Sequence, residues 1–132
     1  MEFNFEQLDV WKESVAFAAA VCRIAKAFPP DEIYGLTSQL RRAAVSVAAN
    51  IAEGKGRYSK KDFRNFLYTA RGSLYEVVTH LRIARKLEYV SQEEMESLDH
   101  RSMNIMRKLS GLIKSLDTDL PSEPGARTPE RS

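Results

Sequence analysis

Arginine and tyrosine alternate along residues 64–82: Arg64, Tyr68, Arg71, Tyr75 and Arg82 recur at intervals that place them on one face of a helix. Lys86 continues the stripe, Lys61 lies at its edge, and Arg57, Tyr58 and Lys60 extend it toward the amino end. Guanidinium groups fork onto phosphate oxygens and phenol rings stack on unpaired bases, so the pattern has the chemistry of a nucleic-acid surface. The surrounding charge is segregated in the same sense. Residues 41–86 hold eleven Lys or Arg against Glu53, Asp62 and Glu76, a net +8 in a chain whose total is +2. A one-sided positive surface attracts polyanions. The competing reading is a solvated helix face whose long side chains cover core edges with their stems. The segregation favours nucleic acid, RNA first, held through phosphates with no base-specific readout.

A second polar set is read differently. On a helical wheel, Gln39, Arg42, Ser46, Asn50 and Glu53 share one arc, and Asn65, Thr69, Ser73, Glu76 and His80 share another further along. If the two helices fold as a hairpin about Gly56, Arg42 comes level with Ser73 and Glu76, and Glu53 with Lys60, Lys61 or Arg64. Gln39, Arg42, Asn50, Glu53, Ser73 and Glu76 are therefore expected to satisfy one another as a structural network or interface, in preference to lining a site.

No set of residues reads as a catalyst, so no enzyme activity, metal or cofactor is expected. His80 and His100 fall on different predicted helices, with no second histidine or cysteine at ligand spacing; both are expected at a surface or interface. Gly54-Lys55-Gly56 lacks the spacing of a phosphate loop and follows a helix, so it reads as a helix stop. Cys22 lies in the apolar run VAFAAAVCRIA and reads as a small buried hydrophobe. As the only cysteine it can form no intrachain disulfide, which fits a cytoplasmic protein. Glu2, Glu6 and Asp9 stand where a secretory signal carries Lys or Arg, and no apolar run approaches the roughly 20 residues of a membrane span.

The elements that must position the stripe are helices throughout. A chain of 132 residues fits one domain, placed at 1–118. Leu8, Trp11, Val15, Ala18, Cys22 and Ala25 mark one face of a first helix, about 6–28, that Pro29 and Pro30 must end. The second, about 37–54, places Leu40, Ala44, Val47 and Ile51 on one side. The third, about 59–88, opens at Ser59 and keeps Leu67, Ala70, Leu74, Val77, Leu81 and Ala84 in phase. Ser-Gln-Glu-Glu at 91–94 is a capping box for a fourth, about 91–117, with a seam of Met95, Leu98, Ser102, Ile105, Leu109, Leu112 and Leu116. Residues 119–132, ending in PSEPGARTPERS, are expected to form a disordered tail. The expected fold is all-α, an antiparallel up-down-up-down four-helix bundle.

The second helix is too apolar for a bundle standing alone. Its back carries Val45, Ala48, Ala49 and Ala52 with only Arg41 to meet water. A helix apolar nearly all round is buried on more than one side, so a homo-oligomer with this helix in its interface is expected.

Several of these segments, Leu8-Asp9-Val10-Trp11, Phe28-Pro29, the run from Tyr34 to Ser46, Asn50-Ile51-Ala52-Glu53-Gly54 and Ala70-Arg71-Gly72-Ser73-Leu74-Tyr75-Glu76, resemble the 23S rRNA intervening-sequence protein family of bacterial four-helix proteins. The resemblance runs from about Phe5 to Leu116. It implies a left-handed antiparallel bundle that assembles as a homopentamer, with no established activity. The family is similar to the accessory subunit of diversity-generating retroelements, a basic pentamer that contacts nucleic acid and a reverse transcriptase. The resemblance therefore implies either a nucleic acid or a protein partner. Two positions depart from the family pattern. Ala48 stands where proline is frequent, and Glu88 where a glycine is common, which makes a left-handed helix cap less comfortable there.

Overall fold

The computed structural model describes residues 2–120; of the expected tail, 121–132 lie outside the described residues. A 3-10 turn at Asn4–Gln7 leads into α1 (Asp9–Ala25), and a second at Pro30–Glu32 into α2 (Leu36–Lys55), followed by α3 (Lys60–Lys86) and α4 (Gln92–Asp119). No strand occurs among the described residues. The helix count matches expectation, α1 is shorter at both ends than the expected 6–28, and the helix ends carry the reasons. Ser91 Oγ accepts from Glu94 N while Glu94 Oε1 accepts from Ser91 N, at 3.1 and 2.9 Å, which completes the capping box. Ser59 Oγ accepts from Asp62 N at 3.0 Å and caps α3. Helix α4 runs on through Asp119, past its expected end at 117.

Packing joins α1 to α2, α2 to α3, α3 to α4 and α4 back to α1, with no close backbone approach across either diagonal. Register follows from paired residues. Ser46 meets Ser73, and Gly54 meets Phe63 and Phe66, so α2 and α3 run in opposite senses. Arg64 meets Asp117 and Arg82 meets Asp99, so α3 and α4 do too. The core lies between the helices and is dominated by fully buried Phe17, Leu40, Ile51, Leu67, Leu74, Leu81, Ile105 and Leu109. Each such side chain contributes about 2 kcal/mol through its removal from water.

Four details correct the sequence reading. Helix α1 is turned by one residue: Val10, Ser14, Phe17, Ala18, Val21 and Ala25 face inward, Val15 is 41% exposed, and Cys22 is only half-buried. The turn buries Phe17 completely at the expense of Ser14, whose hydroxyl is satisfied by Val10 O at 2.7 Å. Helix α1 also stops at Ala25, short of the prolines. Ala27 N and Phe28 N tighten onto Ile24 O and Ala25 O, which folds the Phe28 ring inward against Tyr89, 5.3 Å between centroids. In α4 the seam passes through Ile113, with Leu112 half-buried.

Gly54 is the fourth. It lies inside α2 and is buried, whereas Gly56 caps the helix with an ordinary φ of −79°. A Cβ at Gly54 would sit 2.6 Å from Phe66 Cβ and 3.0 Å from Phe63 Cδ1. Gly54 therefore permits the close approach of α2 to α3, and the stop is left to Gly56.

Candidate nucleic-acid interface

Helix α3 carries the predicted stripe along its seam with α4, and α4 answers with acids. Arg64 Nη1 donates to Asp117 Oδ1 at 2.9 Å, Arg82 Nη1 to Asp99 Oδ1 at 2.8 Å, and Lys60 Nζ lies 3.2 Å from Asp119 Oδ2. Arg64 Nε is buried without a partner among the described residues, and the side chain links the two helices through Nη1. Arg57 pairs with Glu53 at 2.9 Å and lies over the Phe66 ring at 4.8 Å. Four of the stripe's cations are thus offset locally. Arg71 differs: its Nη1 donates to the Ser110 hydroxyl at 3.3 Å, and its guanidinium stacks on Tyr68 at 5.0 Å, with no acid in contact. Lys61 and Lys86 are exposed, and Lys86 has no ion-pair partner among the described residues. With the arginines drawn toward α4, Tyr68, Gly72 and Tyr75 form the outward crest of α3.

The second polar set is only partly brought together. Ser46 and Ser73 hydroxyls meet at 2.9 Å, and Asn50 Nδ2 donates to Ser46 O and Oγ at 2.8 and 2.9 Å. Glu76 Oε2 lies 3.2 Å from His80 Nε2 on the same helix, and His80 Nδ1 is buried without a partner. Gln39 and Arg42 remain exposed, and neither has a side-chain partner among the described residues. Glu53 turns to Arg57 instead of crossing to α3. The Ser46–Ser73 contact sets Arg42 opposite Val77, one residue past Glu76, and Arg42 pairs with neither Ser73 nor Glu76.

Sequence reasoning missed the α4 contributions. Asp99, Asp117, Asp119, Arg107 and Lys114 were not assigned to the stripe or to its partners. The antiparallel register would have found them, because it sets Asp117 level with Arg64 and Asp99 level with Arg82. At the opposite end of the molecule, Tyr89 Oη donates to Glu32 Oε2 at 2.9 Å and ties the α3–α4 link to the α1–α2 link. That hydrogen bond, with burial and the nearby Glu32 and Asp31 charges, holds the phenol above its ordinary value of 10.0. No described helix is long and apolar enough to cross a membrane.

Four helices in this connectivity, with no strand among the described residues, define a class of small helical proteins. Residues 6–111 match the family model of the 23S rRNA-intervening sequence protein, and the chain belongs to that family. It is also similar to the crystal structure of a protein of unknown function from the S23 ribosomal protein family of Bacteroides thetaiotaomicron VPI-5482. The two are 28% identical with a TM-score of 0.74, over 80% of this chain and 98% of that one. None of the curated proteins matches the chain.

Proposed function

We propose that the protein is a non-enzymatic RNA-binding protein, an antiparallel up-down-up-down four-helix bundle that self-associates, as a pentamer, and holds RNA through phosphate contacts. The observation that carries this reading is the charge segregation, +8 over residues 41–86 in a chain of +2. Ion pairing to α4 lowers the effective charge of the Arg64, Arg82 and Lys60 positions but leaves Arg71 and Lys86 without an acid among the described residues. Unpaired cations that sequence reading did not assign to the face, Arg107 and Lys114, lie on the adjoining helix. A protein-scaffold role is the second reading, favoured by the exposed Val15 and Val45 on α1 and α2.

Binding of a labelled structured RNA, with duplex DNA as competitor, across a salt series tests the proposal. Affinity that persists near physiological salt, with a steep log–log slope and preference for RNA, is the expected result. Affinity that vanishes before physiological salt overturns it and leaves the scaffold reading.

A further inference from the structure

The glycines of this protein divide by what surrounds them. Gly54 has a clear structural reason, because any side chain there collides with α3. Gly72 and Gly111 have none: both lie inside long helices, neither is buried, and a Cβ built on either meets no heavy atom within 4 Å. Each costs its helix about 1 kcal/mol relative to alanine. The antiparallel register that joins Arg71 to Ser110 sets these two glycines nearly level on neighbouring helices. Both glycines face solvent, so the backbone of α3 and α4 is bare near mid-length at a cost that no internal contact recovers.

Aromatic rings and basic side chains flank Gly72. Tyr68 and Tyr75 stand one turn to either side of Gly72, about 10 Å apart along the axis. Tyr75 is 61% exposed and makes no ring or cation contact among the described residues. Helical side chains lean toward the amino end, so the Tyr75 ring projects over the turn that holds Gly72. Tyr68 is backed by the Arg71 guanidinium. Across the seam, Lys114 comes level with Tyr68 and Arg107 with Tyr75 by the same register. Neither has an acidic partner among the described residues, where Arg107 donates to Asn104 Oδ1 at 2.9 Å.

We infer that this bare stretch of the α3 crest is a stacking site for unpaired bases of single-stranded RNA, with Tyr68 and Tyr75 as the stacking faces and Arg71, Arg107 and Lys114 on the flanking phosphates. The inference rests on the RNA-binding reading and deepens it. Phosphate contact alone needs only charge; exposed rings beside a bare stretch of backbone serve a flat ligand. Duplex RNA keeps its bases stacked internally and offers the rings nothing.

The test compares three labelled probes on the full chain at low salt: a short single-stranded RNA, an abasic ribose-phosphate strand of equal length, and a duplex. The single strand is expected to bind about tenfold or more tightly than the abasic strand, the measure of base stacking on an aromatic ring. Tyr75→Ala should erase that difference and Tyr75→Phe keep it. Gly72→Leu covers the bare stretch with a better helix former, so it should raise the melting temperature while abolishing the base-dependent part of binding. Equal binding of the two single strands by the unaltered protein, or unchanged preference in Tyr75→Ala and Gly72→Leu, overturns the stacking site and leaves phosphate binding standing. Absence of binding to every probe overturns the wider reading as well.

Discussion

Glu88 occupies the left-handed position of a complete Schellman motif at the end of α3. Tyr89 N donates to Ala84 O and Glu88 N to Arg85 O, and Glu88 itself takes a φ of 64°. Glycine is the residue this position favours, because a Cβ crowds the following carbonyl. Glu88→Gly is therefore expected to stabilise the protein by about 1 kcal/mol, read as a raised midpoint in urea unfolding. An unchanged or lowered midpoint would mean that the φ is not strained. This position was legible in the sequence, since Glu88 stands where a glycine is the natural cap. Gly54 was legible only as a punctuation mark. Its true reason, contact with Phe63 and Phe66, depends on the distance between two helices, and no pattern within one helix carries that distance.

Between elements, the ion pairs of α3 with α4 have two roles in tension. Arg64–Asp117 and Arg82–Asp99 fasten the seam, yet each aspartate removes a positive charge from the surface proposed to meet RNA. Pairs this accessible contribute about 0.5 kcal/mol each, so their structural value is modest. Asp99→Asn with Asp117→Asn retains hydrogen-bond acceptors for both arginines while freeing their charge. The double variant is expected to lose roughly 1 kcal/mol of stability at most and to bind RNA severalfold more tightly at low salt. Weaker or equal binding in a folded double variant would remove Arg64 and Arg82 from the RNA surface. Helix identity was readable because apolar spacing of three and four is a strong signal in α3 and α4. Helix phase in α1 was not, because Val10, Trp11, Ser14, Val15, Phe17, Ala18, Val21 and Cys22 permit two adjacent faces. Three-dimensional packing resolved the choice by burying Phe17, and a serine inside the core was the consequence. Pairing across helices was the least legible level. The stripe was visible in α3, but its neutralisation depended on a register with α4 that neither helix encodes alone.

At the scale of the whole molecule, the face of α1 and α2 stays apolar where it meets water. Val45 is 52% exposed, Ala16 and Ala19 are exposed on α1 and Ala49 on α2, and Ala52 is half-buried; Ala48, expected on the same back, faces the core instead. Arg41 and Arg42 on α2, and Arg23 and Lys26 at the end of α1, border this patch without ion-pair partners among the described residues. A patch of small side chains lets a second helix pair approach closely, and the proposed ring leaves the α3–α4 seam free on every copy where its second, complementary surface lies elsewhere. Such a ring would be multivalent. Three acid-free cations per chain at the seam give a salt slope of about −2 for a monomer on single-stranded RNA, and a ring whose copies share one RNA steepens it in proportion. Val45→Glu places a charge in the patch and, as an exposed position, should alter the stability of the single chain by less than about 0.5 kcal/mol. Light scattering is expected to find the unaltered protein at a multiple of 15.0 kDa and the variant near 15.0 kDa. The variant's salt slope should flatten toward the monomer value while its preference for single-stranded over abasic RNA survives, because the stacking site lies within one chain. A monomeric unaltered protein ends the ring. An assembled variant with an unchanged slope moves the interface away from α2.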